Sequence, residues 1–393
     1  MISMNTSSQR TLPLSEQVNV KDCFRKVRNY LAGQFIGSTS DSVLLSEVLK
    51  CLFYKLYVEL GYASFSNVTS LDSYALAKHV RAVFNQVRED FADLYDLDAE
   101  LLLSPESIVY ILNTCDFSLL DATSDPIGDA FEVFVGNESR GRSGQFFTPR
   151  TVTDLLVELT DPKIGETIID PACGAGGFLA SVLRHHLGQG IKRDDLASEV
   201  KNLYGIDKDD YLTQLAKMHV SLLSGDKPNI IATDSLASHN SNSSISSEVP
   251  NGGFDVLLTN PPFGAKIVSA SEKVLESYAL ARKWKYHDAA KRWETTNTIR
   301  AQVPPQVLFV ERCLSLIRDG GRFGIVLPES LISNRSHRHV VQFMMDRAHI
   351  TSVIGMPEAL FKTSGKGGTH TKTCLVVGEK DEQKERAATS VFM

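Results

Sequence analysis

Asn260-Pro261-Pro262-Phe263 is the stretch of this chain whose residue types could do chemistry. It follows an apolar run, Phe254-Asp255-Val256-Leu257-Leu258-Thr259, that reads as a buried strand. Pro261 and Pro262 cannot donate to a sheet ladder and hold the backbone extended, so the strand stops at a rigid corner. That corner presents an amide side chain, main-chain carbonyls released from strand pairing, and an aromatic ring. The Asn260 oxygen and the Pro261 carbonyl can each accept one hydrogen of an amino group on a planar ring, while Phe263 stacks on the ring's face. The plain alternative is a strand-ending turn with a buried phenylalanine.

The elements around this corner favour a ligand site. Thr167-Ile168-Ile169 runs into Asp170-Pro171-Ala172-Cys173-Gly174-Ala175-Gly176-Gly177-Phe178 and then a helix through Leu183 to about Leu187: strand, glycine-rich turn, helix, the first unit of a doubly wound α/β sheet. The glycine spacing is G-x-G-G rather than the dinucleotide G-x-G-x-x-G, which favours a ligand without a pyrophosphate. A second strand, Leu203 to Ile206, ends in Asp207, where an acidic side chain can grip ribose hydroxyls; a cap for the helix Tyr211–Leu223 is its other reading. A third, Asn229 to Ala232, ends before Asp234, placed either to meet an adenine amino group or to form a turn. Open α/β sheets bind ligands at the carboxyl ends of their strands, and these four ends converge on one crevice.

Further along, a helix is expected over Val307 to Ile317, then strands at Phe323–Leu327, Val353–Met356 and Thr371–Val377, the last paired back antiparallel. Residues 266–303 read as helical and basic, with Lys273, Arg282, Lys283, Lys285, Lys291, Arg292 and Arg300 among Trp284, Tyr286 and Trp293. Such a segment either contacts a phosphate backbone and stacks a base or forms an amphipathic lid.

Upstream, apolar residues recur at helical spacing in Val43 to Leu56 and in Leu76, Val80, Val83, Phe84 and Val87, and Ser104 before Pro105 marks another helix start. The expected organisation is therefore a frayed start (1–15), a helical N-terminal domain (16–135) and an α/β domain (136–393). Between them Gly144-Gln145-Phe146-Phe147-Thr148-Pro149-Arg150 forms a loop feeding a helix over Val152–Leu159, with Thr148 as its cap, or an anion site at that helix's start.

Composition narrows the class. The 393 residues carry a net charge of −6, which argues against a broad nucleic-acid footprint but leaves room for a local basic strip. Six scattered cysteines, with no C-x-x-C pair, imply neither a zinc site nor a disulfide framework. No apolar run approaches a membrane span and the first residues lack an apolar signal core, so a cytoplasmic location without membrane contact is expected.

Taken in order, Gly144 to Arg150, Asp170 to Phe178, Asn260 to Phe263, and late Leu360-Phe361-Lys362 with Thr371-Lys372-Thr373 resemble the N6-adenine DNA methyltransferases, and among them the modification (M) subunits of type I restriction-modification systems. The resemblance spans about residues 20–393. It implies a seven-stranded S-adenosylmethionine-dependent methyltransferase sheet, of Rossmann-like doubly wound form, preceded by a helical N-terminal domain. It implies that Gln145, Phe146, Phe147, Thr148, Pro149 and Arg150, with Asp170, Ala172, Cys173, Gly174 and Gly176, hold the methionine end of S-adenosyl-L-methionine, that Asp207 holds the ribose and that Asp234 meets the adenine. Asn260, Pro261, Pro262 and Phe263 would be the catalytic corner, with no metal required and Cys173 no nucleophile. Double-stranded DNA, a specificity (S) subunit, a second M subunit and a restriction (R) subunit are the implied partners, and a family C-terminal helical region would be missing after Met393. Similar corners occur in glutamine-modifying protein methyltransferases and rRNA guanine methyltransferases, against both of which the Phe147-Thr148-Pro149 segment argues. A cofactor-sensing assembly subunit of a phage-defence complex is the reading from another class.

Overall fold

In the computed structural model the described residues are 19–34, 40–63, 72–92, 94–95, 98–119, 125–134, 148–192, 195–237, 253–264, 272–358, 360 and 372–382. The chain begins with helices α1 (Val20–Gln34), α2 (Asp41–Glu59), α3 (Ser73–Asp90), α4 (Pro105–Thr114) and α5 (Pro126–Phe134). Their starts are set by local chemistry. Ser40, Asp72 and Ser104 each accept a hydrogen bond from the backbone N–H three residues on, and Pro105 occupies the first turn of α4. One such cap stabilises a helix by about 1 kcal/mol. The apolar stripes anticipated for α2 and α3 pack into a single core.

The sheet follows. Helix α6 (Arg150–Thr160) leads to β1 (Ile168–Asp170), α7 (Gly177–Gly188), a short α8 (Leu196–Glu199), β2 (Leu203–Asp207), α9 (Asp210–Ser224), β3 (Asn229–Ala232) and β4 (Phe254–Thr259). After α10 (Glu272–Glu276) come strands β5 (Arg282–His287) and β6 (Arg292–Ile299), then α11 (Pro305–Leu316), β7 (Ile317–Pro328), α12 (Glu329–Ser333), α13 (Arg338–Met345), β8 (Ala348–Gly355) and β9 (Thr373–Lys380). Seven strands pair in the order β3-β2-β1-β4-β7-β9-β8, parallel except for β9, which runs antiparallel to both neighbours. The expected doubly wound sheet, with its last strand paired back, is the observed one.

Alternation along the strands builds two cores. Ile168, Leu203, Val256, Leu258 and Val326 face α6, α7 and α9, whereas Ile169, Leu257, Phe323 and Ile325 face α11 and α13. Helix α9 has two apolar faces. Ala216, Val220 and Leu223 pack on the sheet, while Leu212, Leu215, Met218 and Leu222 belong to the core of α1–α5. The N-terminal helices thus sit directly on the α/β part through α9.

Residues 282–299 depart from the helical reading. They form a two-stranded antiparallel ribbon, β5–β6, with Lys291 in the left-handed region at its turn. The basic residues recur at near-helical spacing, but the Trp, Tyr, Ile and Thr residues between them are strand formers that fit a pleated surface. Opposite residues Trp284 with Thr295 and Tyr286 with Trp293 share one face. Both indoles are committed to α13: Trp284 lies 5.8 Å from the His339 ring and 6.4 Å from Phe343, and Trp293 lies 6.1 Å from His339. The Gln342 side chain accepts from the Trp293 N–H at 2.7 Å and donates to its carbonyl at 2.8 Å, so it occupies a strand's place at the ribbon's edge. Of the three rings, Tyr286 is the open one, at 49% exposed.

The central strand enters the sheet through a close approach. Gly253 has φ +96°, and a Cβ there would lie 2.7 Å from the Arg318 nitrogen and 2.9 Å from the Leu316 oxygen, both backbone. Gly165 also has positive φ (+85°) but meets nothing within 4 Å. Gly165→Ala should therefore cost only the conformational strain, about 1 kcal/mol. Gly253→Ala should cost about 1–3 kcal/mol more through overpacking. Urea unfolding of the two variants beside the parent measures the difference; equal losses would contradict this packing.

Candidate active site

Strand β4 ends with Thr259 fully buried and delivers Asn260 to the carboxyl edge of the sheet. There it meets the start of α6. The Asn260 Nδ2 donates to the Thr148 hydroxyl at 3.0 Å, and this fixes the amide plane. The Asn260 Oδ1 is buried and has no hydrogen-bond partner among the described residues. A buried acceptor left unmade costs about 1–3 kcal/mol, so such an atom is a standing demand for a donor. Thr148 was expected to cap α6, yet the cap position is Pro149 and no side chain bonds there. The proline needs no N–H partner, which leaves the threonine hydroxyl for Asn260. Pro261 is buried and Phe263 is 7% exposed, its ring among the apolar residues of the α6–α7 face.

The glycine-rich turn lies at the end of the neighbouring strand β1, and almost every residue of it is tied down from behind. Ser235 donates its hydroxyl to the Pro171 carbonyl at 2.5 Å. Asp170 Oδ1 accepts from the Ala172 N–H at 3.0 Å, the Cys173 N–H donates to the Ile206 carbonyl at 2.9 Å, and the Gly174 N–H donates to Asp207 Oδ2 at 3.0 Å. His219 Nδ1 lies 2.9 Å from the Ala175 carbonyl, and the Gly176 N–H donates to the Cys173 carbonyl at 2.8 Å. Gly176, at φ +80°, lies so close to α9 that a Cβ would sit 3.2 Å from the Ala216 Cα. Gly174 is the contrast: a Cβ there would meet nothing within 4 Å, so the turn's open side is at Gly174.

The two turn-holding acids differ in exposure. Asp170 is 1% exposed, and burial first, then the Asp207 carboxylate, pushes it up to about 7 against the pull of the Thr259 hydroxyl and the Ala172 N–H. Asp207 is half-buried; burial raises it, against hydrogen bonds from the Asp209 and Gly174 N–H groups. The α9 cap assigned to Asp207 as its other reading belongs to Asp209, whose Oδ1 accepts from the Leu212 N–H at 3.1 Å. Burial also drives the Cys173 thiol far above its ordinary range, so it stays protonated and inert beside Gly205. Asp234 is exposed and closes a turn on the Leu236 N–H at 2.9 Å, just after the end of β3.

The site therefore assembles Thr148, Pro149, Asp170, Ala172, Cys173, Gly174, Gly176, Asp207, Asp234 and Asn260 to Phe263 along one sheet edge. Arg150 opens α6 and pairs with Asp154 at 3.3 Å. Gln145, Phe146 and Phe147 lie outside the described residues. Ser235, His219 and Arg312 were not anticipated. Arg312, on α11, is 2% exposed and lies close enough to Asp234 and Tyr278 to feel both. A histidine or arginine on an otherwise apolar helix face was the available signal for the last two.

An acid whose folded value is raised binds its proton more tightly in the fold than in the unfolded chain. Asp170 should therefore subtract stability as pH rises from about 4, its unfolded range, to about 7. Asp170→Asn keeps an acceptor for Ala172 and removes the charge. Its unfolding free energy should fall less than the parent's between pH 4 and 7.5, by an amount on the order of a few kcal/mol. Parallel denaturant titrations at the two pH values provide the check, and identical pH slopes would count against a protonated Asp170.

Comparison with known proteins gives the family and the fold. The chain is 28% identical over 278 residues to the type I restriction enzyme EcoEI methylase subunit of Escherichia coli, an alignment covering 70% of this chain and 51% of the relative. The chain thus spans about half the length of that relative. The type I restriction-modification system methyltransferase subunit from Streptococcus thermophilus has the same fold, with TM-score 0.57, 16% identity and coverage of 95% of this chain and 90% of that one. A chain from a type I restriction-modification complex also shares it, with TM-score 0.59, 19% identity and coverage of 93% and 75%. The model of the N-6 DNA Methylase family matches residues 122–393, and with well over half of its length inside that match this chain belongs to the N-6 DNA Methylase family.

Proposed function

We propose that this chain is the modification subunit of a type I restriction-modification complex and transfers a methyl group from S-adenosyl-L-methionine to N6 of an adenine in double-stranded DNA. One observation carries the reading: a buried amide oxygen on Asn260, with no partner among the described residues, oriented by Thr148 at the carboxyl end of the central strand. A buried acceptor of this kind suits an exocyclic amine. With Asn260 Oδ1 and the Pro261 carbonyl as acceptors, both amine hydrogens are engaged, which draws the nitrogen lone pair out of the ring and toward a methyl donor. An adenine inside a duplex cannot reach this depth, so the base is taken out of the stack first.

The residues present fit the cofactor. The open side of Gly174 leaves room for a ligand against the turn, and Asp207 at the end of β2 keeps lone pairs for ribose hydroxyls after accepting from Gly174 and Asp209. Asp234, exposed just after the end of β3, is the residue of this reading that meets the adenine. When bound, S-adenosyl-L-methionine supplies a methyl already activated by its sulfonium charge, and in this reading transfer requires neither a metal nor a covalent enzyme intermediate. Asp170 acts here on the shape of the turn, through Ala172. The sequence-reading S subunit, a second M subunit and an R subunit are the partners of this reading, and the cytoplasm its place.

The test is tritiated methyl transfer to unmethylated DNA by the full chain co-expressed with its S partner, followed by nucleoside mass spectrometry for N6-methyladenine. Asn260→Ala should lower turnover about 10²–10³-fold or more, as expected for removal of an oriented polar group from a reacting centre, with calorimetric cofactor affinity unchanged. Thr148→Val, which frees the amide without removing it, should cost about 10-fold. Full activity in Asn260→Ala would overturn the assignment.

A further inference from the structure

His219 is 1% exposed in the middle of α9, and each of its ring nitrogens faces an oxygen. Nδ1 lies 2.9 Å from the Ala175 carbonyl of the glycine-rich turn, and Nε2 lies 3.0 Å from Asp125 Oδ1, just before α5. A carbonyl accepts and cannot donate. The carboxylate accepts as well, because its other contacts are all donors: the Gly128 N–H reaches Oδ1 at 2.9 Å and Arg184 Nη1 reaches Oδ2 at 2.7 Å. The ring thus bridges the Ala175 carbonyl and the Asp125 carboxylate through its two nitrogens. Burial alone would raise Asp125, but His219 and Arg184 hold it far below the usual carboxylate range.

The connections run in two directions. Arg184 belongs to α7, the helix that begins as the turn ends, and it also reaches Asp154 of α6 at 3.1 Å. On the other side the ring of Phe131, in α5, meets the His219 ring edge-on at 5.4 Å between centroids. Helix α5 is packed into the core of α1–α4. A displacement of the N-terminal helices would therefore act first on Asp125 and Phe131, both of which touch the one side chain that holds Ala175.

We propose that His219 is a positioning residue that couples the N-terminal helical layer to the cofactor turn: held between Asp125 and the Ala175 carbonyl, it sets the shape of residues 171–176 according to how α5 is seated on α9. Through this contact the docking of a partner on the helical layer changes cofactor affinity. The turn's ligand is S-adenosyl-L-methionine only under the function proposed above, whereas the mechanical coupling stands apart from it.

Hydrogen exchange read by mass spectrometry on the full chain, with no ligand, tests the coupling directly. The Cys173, Gly174 and Gly176 amides are all hydrogen-bonded within or behind the turn, so their exchange reports its integrity. His219→Leu should speed exchange in the 170–178 peptide about tenfold or more while β4 and β7 stay protected, and His219→Gln, which retains a donor for Ala175, should recover part of it. Asp125→Asn touches the turn only through His219 and Arg184, so it should loosen the same peptide. It also decides the matter should His219→Leu fail to fold. Cofactor binding supplies the second readout: the affinity of S-adenosyl-L-methionine should weaken about tenfold in both variants, with turnover at saturating cofactor within a few-fold of the parent. Unchanged turn exchange in folded His219→Leu and Asp125→Asn overturns the proposal. A parent chain that fails to bind the cofactor counts against the proposed function alone, since the exchange result still decides the coupling.

Discussion

The short parallel pairing of β1 with β4 is the constraint on which the rest of this structure depends. Only Ile168 with Val256 and Ile169 with Leu257 are in register, yet a side-chain clasp reinforces the ladder: Asp255 Oδ2 accepts from both the Thr167 N–H and its hydroxyl at 2.8 Å, and Arg318 binds the other oxygen at 2.6 Å. The strand order reverses here. After β1 the chain winds outward through β2 and β3, and after β4 it winds the opposite way through β7, so the two following segments part and leave a crevice between them. The Asn260 corner and the glycine-rich turn meet because they are the carboxyl ends of these two paired strands.

Within the crevice the polar groups divide by whether the protein has already used them. The backbone of the turn is engaged by Asp170, Asp207, Ser235, His219 and Ile206, and this is what a Gly-rich segment needs in order to hold one shape without side-chain packing of its own. Asn260 is treated in the reverse manner, with one end of its amide fastened and the other end buried and unmet. The scaffold's hydrogen bonds fix the turn from several sides and leave the Asn260 oxygen without a donor among the described residues. Among the described residues Asn260 Oδ1 is one of several buried polar atoms without a partner, with the Ser221 and Thr373 hydroxyls, and it is set apart by lying at the carboxyl end of the central strand.

What was legible in the sequence was local. The apolar runs of the strands, the Asn-Pro-Pro stop, the glycine turn and the Ser104-Pro105 helix start each carry their physics within a few residues, and the structure has them where the pattern put them. The misreadings were contests between near neighbours or between distant segments. Asp207 and Asp209 are both plausible caps for α9, and only the position of Gly174 in space decides that Asp207 is needed elsewhere. Thr148 reads as a cap until Asn260, 112 residues away, claims its hydroxyl. The role of His219 was missed because its place on an apolar helix face marks it as buried but not as facing the Ala175 carbonyl and the Asp125 carboxylate. The ribbon at 282–299 was lost for a different reason: its basic residues recur at near-helical spacing, while the informative residues were the β-branched and aromatic ones between them.

That ribbon also bears on where a polyanion could meet the protein. Strand β8 runs parallel to β7, because both are antiparallel to β9, so the residues just before it lie at the amino edge of the sheet, opposite the crevice. Arg292, next to the ribbon's turn, bonds Asp346 at 2.7 Å immediately before β8, which places the turn at that far edge. The other end of the ribbon is near the crevice, since β6 leads into α11, whose Gln306 accepts from the Gly264 N–H beside the Asn260 corner. The ribbon accordingly descends the flank of α13 and does not overhang Asn260. Trp284 and Trp293 pack toward His339 on this flank, and the exposed Lys283, Lys285 and Lys291 belong to the same ribbon, so its positive charge forms a surface separate from the Asn260 corner.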